Sequence, residues 1–258
     1  MRESDESAAK ERSEFLGALR KGVLIGLAAL VVILPPVIMH RRHSAPPPAF
    51  AQKGASPHSP AHVARFASFG TQKPSVDVSR VANWVADSRD NGARSFVVLD
   101  KKSARVWVFD PQARLIESTP AVLGAAHGDD TAPGVADKPL DQVKFEERTT
   151  PAGRFIAEVG QSSSRGEDVV WVDYDAAVSM HRVINAPERL KALQTPEPDD
   201  NRLSFGCINL PRQFYEGVLR PTMDRTGAVV YVIPETRQIR DTFANYYDVD
   251  APMRLAQH

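Results

Sequence analysis

The chain contains a single cysteine, Cys207, set in Ser204-Phe205-Gly206-Cys207-Ile208-Asn209-Leu210. A thiol in such a turn can act as a nucleophile toward a carbonyl. The glycine before it relieves crowding and lets the Gly206 and Cys207 amides approach a developing oxyanion. A free thiol is only slightly ionised at neutral pH, so this chemistry needs a base or a positive charge beside it. Of the seven histidines, His40, His43, His58 and His62 fall in the N-terminal quarter and His258 ends the chain. That leaves His127, in a Gly/Asp loop, and His181, which directly follows a strand-like run 26 residues before Cys207. By residue type alone, a lone cysteine is more often a buried structural residue, and a lone histidine after a strand a satisfied core residue. Both readings stand at this point.

Other residues near the thiol motif have bland readings as well. Arg182, Arg202 and Arg212 flank the motif and carry the fork that pairs with carboxylates, although surface arginines are common. Ser204 and Asn209 suit hydrogen bonds within the nucleophile turn. His127 with Asp129 and Asp130 reads as a solvated loop, because no second histidine stands at ligand spacing; neither a metal nor another cofactor is expected. Trp107, Trp171 and Tyr231 read as core residues.

The elements that must hold these groups are mostly strands. Val78, Val81, Ala82 and Val85 keep helical spacing and Asn91-Gly92 stops it, which predicts a lead-in helix over 76–93. Ser95 to Asp100 and Arg105 to Asp110 are rich in Val, Phe, Trp and Leu and separated by four residues, a hairpin pattern. Further strands are expected at 114–117, 154–159, 169–174 and 228–233. Helices are expected at 187–193, after Pro211 with Phe214, Tyr215, Val218 and Leu219 on one face, and at 237–247 within a C-terminal region 236–258. This predicts a mainly β domain over about 94–235, sandwich or barrel-like, with peripheral helices. The polar stretches 124–150 and 194–204 would be loops near the site.

Lys plus Arg and Asp plus Glu are 32 each, so no bulk positive field exists to bind nucleic acid. From Gly22 to Met39 the chain carries no charge, between Arg20-Lys21 and Arg41-Arg42. Eighteen residues of helix span about 27 Å, close to the hydrocarbon thickness, which predicts a transmembrane anchor at 22–39 after a segment 1–21. Ala49-Phe50-Ala51 lies far from the apolar run for a cleavage site, so an uncleaved anchor is favoured over a removed signal. Residues 40–75, rich in Pro, Ala and Ser, read as a spacer.

His181-Arg182 followed by Ser204-Phe205-Gly206-Cys207-Ile208-Asn209 resembles the signature of the L,D-transpeptidase (YkuD) family, and Thr150-Pro151-Ala152-Gly153-Arg154-Phe155 resembles its Thr-Pro-x-Gly strand entry. Phe205 departs from it, standing where most members have a second histidine. The resemblance covers about 94–235. It implies Cys207 as nucleophile, His181 as base, the Gly206 and Cys207 amides as oxyanion donors, and the Arg182 carbonyl as the group orienting the imidazole. Ser204, Phe205, Asn209 and Arg202 would contact or shape the substrate site, with Phe205 making it drier. The implied substrate is a pair of peptidoglycan stem peptides, donor and acceptor, joined through a Cys207 thioester. The cross-link would be of 3-3 type, or of 1-3 type given the altered motif. The implied location is the periplasmic face of the inner membrane. The alternatives are a carboxypeptidase or hydrolase that uses water as acceptor, and an inactive wall-binding module.

Overall fold

The computed structural model describes residues 63–162 and 166–250. The expected anchor 22–39, the segment 1–21, the earlier part of the spacer and the tail beyond 250 lie outside the described residues. Among the described residues no helix is long and apolar enough to cross a membrane. The chain divides into units Met1–Ser59 and Pro60–His258, and every described residue belongs to the second.

The first helix, α1 (Val76–Ser88), is started by Ser75, whose hydroxyl accepts from the Val78 amide at 3.2 Å. It ends at Arg89, which takes a left-handed conformation at φ +56°, two residues before the expected Asn91-Gly92 stop. Strands β1 (Ser95–Asp100), β2 (Arg105–Phe109) and β3 (Leu115–Pro120) follow as antiparallel neighbours. After the short β4 (Leu123–Gly124) and a loop of three 3-10 turns come β5 (Gly153–Gln161), β6 (Asp168–Asp173) and β7 (Val178–Arg182). Helix α2 (Pro187–Ala192), β8 (Arg202–Ser204) and β9 (Ile208–Leu210) lead to three joined helical segments. These are α3 (Arg212–Phe214), a π-helical turn (Tyr215–Leu219) and α4 (Arg220–Thr226). Strand β10 (Ala228–Ile233) and a single turn, α5 (Ile239–Thr242), close the sequence of elements.

Eight strands form one sheet in the order β3-β2-β1-β10-β5-β6-β7-β9, with β1–β10 and β7–β9 parallel. The segment after β3 then crosses to the opposite edge, where Val122 and Asn209 exchange both backbone hydrogen bonds at 2.8 and 2.9 Å. The sheet is thereby nearly closed, and the fold is mainly β and barrel-like with few helices. Strands β1 and β10 are buried at every position, so they read as continuous apolar runs rather than alternating ones. Val97, Leu99, Val106, Val108, Val230 and Val232 fill the interior with Met180, Ile208 and Leu210. Phe96, Val98, Trp107, Phe109 and Tyr231 turn to the other face and meet Trp84 and Val85 of α1. Each such side chain contributes about 1.5–3 kcal/mol by leaving water.

Three expectations change. Strands β4, β8 and β9 are not among the expected elements, and the strand-like run before His181 continues through it as β7. The helix expected at 237–247 is one turn only. Phe243 and Tyr246 are drawn onto the Trp84 ring at 5.8 and 5.7 Å, and Asn245 adopts φ +61°, a conformation no α-helix continues through. The folded body also begins before 76, because Ser68 bonds the backbone of Ala113 and Leu115 while Phe69 packs edge-on against Trp107 and Phe109.

Candidate active site

Strands β7 and β9 run parallel with Met180 opposite Ile208 and His181 opposite Asn209. Side chains alternate across a strand, so Met180 and Ile208 point into the core while Ser179, His181, Cys207 and Asn209 share the other face. On that face lies a cavity of about 240 Å³, lined by Trp171, Ser179, His181, Arg189, Phe205 and Cys207 among others. The Cys207 thiol is half-buried at this cavity, 3.5 Å from the Ala177 carbonyl and 3.8 Å from the Ser179 hydroxyl.

His181 is buried at 7% exposure, and its two ring nitrogens have different partners. Nδ1 is 2.8 Å from the Arg182 carbonyl, which can only accept, so Nδ1 carries the proton and donates. Nε2 is then the lone pair, and Asn209 Nδ2 lies 3.2 Å from it. Asn209 fits this tautomer, because its other amide atom, Oδ1, accepts from Arg189 Nη1 at 2.5 Å. Arg189 also donates to the Leu203 carbonyl at 2.9 Å. A chain from Arg189 through Asn209 to His181 therefore fixes which nitrogen can take up a proton.

The turn that carries Cys207 is held from within. Ser204 Oγ donates to the Cys207 carbonyl at 2.6 Å and accepts from the Gly206 amide at 3.1 Å, and Asn209 Nδ2 reaches the same carbonyl at 3.3 Å. The Gly206 N–H, expected as an oxyanion donor, is thus engaged inside the turn by Ser204. Gly206 has φ +125°, and a Cβ there would lie 2.8 Å from the Thr149 carbonyl oxygen. Gly206→Ala is accordingly expected to cost about 1–3 kcal/mol and to slow thiol alkylation, read from thermal melts and iodoacetamide labelling.

Phe205 is 36% exposed on the cavity wall, with the Arg148 guanidinium 4.2 Å over its ring. Arg148 in turn donates to the Val143 carbonyl, so the 124–150 loop is tied to the thiol turn. Arg202 is placed away from the cavity. Its guanidinium, expected to contact substrate, bonds the Lys101 carbonyl at 2.9 Å and the Glu235 carboxylate at 2.5 Å. The Arg182 side chain lies over Tyr215 at 4.3 Å and pairs with Asp168 and Glu216, each at 2.9 Å, so only its backbone faces His181. Arg212 is exposed and pairs with Glu216 at 2.8 Å.

The loop expected to be solvated at His127, Asp129 and Asp130 is partly buried. Asp129 is 4% exposed. Its carboxylate accepts from Lys101 Nζ at 2.7 Å, from Thr236 Oγ1 at 2.5 Å and from the amides of Glu235, Thr236 and Arg237. Burial alone would raise its pKa, but these hydrogen bonds outweigh burial and hold the carboxyl well below the usual range. Lys101 also donates to the Gly128 and Thr150 carbonyls. His127 is exposed beside Glu235 at 3.1 Å and Asp199 at 3.6 Å. Among the described residues no group of three His, Cys, Asp or Glu is placed to hold a metal.

Four residues of this neighbourhood were not read as site residues from the sequence. Trp171, taken as core, lines the cavity, its indole lying against Gly160, where a Cβ would be 2.5 Å from Nε1. Ser179 stands two residues before His181, and strand alternation at β7 would have placed both on one face. Arg189 sits on α2 and carries no local signal. Thr150 belongs to the Thr-Pro-Ala-Gly motif, which marked a strand entry and not a contact to the thiol turn.

No protein-family model and no curated protein matches the sequence. Among solved structures, the chain is similar to the catalytic domain of Enterococcus faecium L,D-transpeptidase, determined by NMR, at 18% identity and TM-score 0.34, covering 55% of this chain and 98% of that one. A mutant of Enterococcus faecium L,D-transpeptidase matches at 18% identity and TM-score 0.32, covering 54% of this chain; the present chain spans half of that one's length. A mutant of the helical cell shape determining protein Pgp2 from Campylobacter jejuni matches at 16% identity and TM-score 0.37, covering 64% of this chain and 58% of that one. Likeness of this degree assigns neither chemistry nor substrate, and the functional reading rests on the site itself.

Proposed function

We propose that the protein is a cysteine-dependent acyltransferase of the L,D-transpeptidase kind, acting on peptidoglycan stem peptides. The observation that carries this reading is the shared face of β7 and β9. It presents a half-exposed thiol at a cavity together with an imidazole whose Nε2 lone pair is fixed by the Arg182 carbonyl. The sequence motifs around Cys207 and Thr150 point the same way.

In this mechanism the Cys207 proton passes to His181 Nε2, the lone pair that otherwise takes the Asn209 hydrogen bond. The sulfur attacks the stem carbonyl, and the carbonyl oxygen becomes an oxyanion facing the Cys207 amide. The carbon–nitrogen bond then breaks, the protonated imidazole gives its proton to the departing amine, and a thioester remains. The amine of a second stem attacks the thioester, its proton goes to His181, the carbon–sulfur bond breaks, and a cross-link forms. Trp171 and Phe205 wall this cavity, and such apolar surface favours an acceptor amine over bulk water. The cross-link formed is of 3-3 type, or of 1-3 type if Phe205 selects a different donor carbonyl. The domain works outside the inner membrane, with residues 22–39 as its anchor.

The test is to incubate the purified protein with disaccharide-peptide fragments and weigh the products. Cross-linked dimers with loss of the donor's terminal residues support transfer. Trimmed monomers alone indicate water as acceptor, and unchanged fragments leave a binding module.

A further inference from the structure

Thr150 is 1% exposed, and its hydroxyl is engaged on both sides: it accepts from the Gly124 amide at 2.9 Å and donates to the Gly206 carbonyl at 2.8 Å. Its own carbonyl accepts from Lys101 Nζ at 3.0 Å, so the residue is anchored to the β1–β2 turn on one side and to the nucleophile turn on the other. A trans peptide points its C=O and N–H in opposite directions. The Gly206 carbonyl is drawn toward Thr150 in the protein body, and the N–H of the same peptide unit, that of Cys207, is directed the opposite way. The Gly206 amide and Cys207 carbonyl are meanwhile taken by Ser204 and Asn209. Of the polar backbone groups at these two residues, the Cys207 N–H is the one these bonds leave to the acyl oxygen.

We propose that Thr150 is a positioning residue for the oxyanion donor: by holding the Gly206 carbonyl it sets the direction of the Cys207 amide hydrogen. The proposal rests on the acyl-transfer reading above. It separates two reactions of one thiol. Alkylation by iodoacetamide displaces a halide and builds no oxyanion, whereas acylation by a carbapenem adds sulfur to a carbonyl and does.

The experiment compares second-order rates of both reactions, across pH, for the wild type and for Thr150→Val, Thr150→Ala and Thr150→Ser. Valine keeps the shape and loses both hydrogen bonds; alanine covers the case in which a methyl against the Gly206 carbonyl prevents folding, and each variant is first shown to melt cooperatively. The expected result is acylation slowed about 100-fold in the valine and alanine variants, as for the loss of one oxyanion donor. Alkylation and its pH profile should stay within about twofold, and serine should restore acylation. Equal losses in both reactions would make Thr150 a structural residue only, and unchanged acylation would remove its role altogether. A wild-type protein that is alkylated but never acylated would overturn the acyl-transfer reading itself, and this proposal with it.

Discussion

Replacing Cys207 with alanine is expected to abolish product formation while leaving the fold in place. The thiol is half-exposed at a cavity mouth and takes no part in the packed interior that Met180 and Ile208 fill between the same two strands. Its removal therefore opens no closed void, and the stability change should stay within about 1 kcal/mol, visible as a melting temperature shifted by a few degrees at most. The chemical effect is of another order. Loss of an attacking nucleophile costs roughly a millionfold in turnover where binding and oxyanion contacts are left intact. Mass analysis of wall fragments with the wild type and with Cys207→Ala, at matched concentration and with melts recorded in parallel, checks both halves. Residual cross-linking by the alanine variant would take the thiol out of the mechanism.

The largest stability effect is expected at Lys101, far from any solvent. Its side chain is 0% exposed and faces two carboxylates, Asp129 at 2.7 Å and Glu235 at 3.6 Å, with Arg202 on the far side of Glu235. Two cations and two anions thus cancel in the interior. Lys101→Met keeps the volume and removes one cation, leaving the buried Asp129 carboxylate with Thr236, three backbone amides and, at 3.9 Å, Arg237, but without its nearest cation. The cost is about 3–5 kcal/mol, or roughly 10 °C in melting temperature for a domain of this size. The pH dependence has a definite sign. Asp129 is held below its ordinary range, burial opposing and hydrogen bonds prevailing, and Glu235 is lowered as well, burial again opposing while the Gly128 amide and Arg202 prevail. Carboxyls lowered in the folded state stabilise it above their unfolded pKa, about 4, and that stability is lost as pH falls through the folded values. The wild type should therefore weaken in acid, and Lys101→Met should unfold at a higher pH. Acid titrations followed by circular dichroism decide; coincident curves for the two proteins would contradict the argument.

The strands that build the sheet were legible because they are dense in β-branched and aromatic residues. Ser95–Asp100, Arg105–Phe109 and Ala228–Ile233 all stand where composition put them. The strands that build the site were not. Leu123–Gly124, Arg202–Ser204 and Ile208–Leu210 are two or three residues long, too short for any period to show, and all three exist through parallel pairing with distant segments. Cys207 and His181 were found by elimination and by motif, which need no geometry. Ser179, Thr150 and Arg189 matter through register and through hydrogen bonds to residues far along the chain, which a linear reading does not contain. The partner of Arg202 is likewise invisible along the chain: a guanidinium near a motif suggests a substrate carboxylate, and the carboxylate beside it in the fold is Glu235, 33 residues on.

The pairing of β7 with β9 also bears on how such a protein can diverge. In both strands every second residue belongs to the interior and the residues between face the cavity, so inserting or deleting one residue would exchange the two sets at a stroke. The thiol would enter the oil and an isoleucine would face the cavity. Lineages losing the chemistry by that route would lose the protein too. New specificities must then come from segments whose length is free to drift, the 124–150 stretch and the turn bearing Phe205 foremost among them.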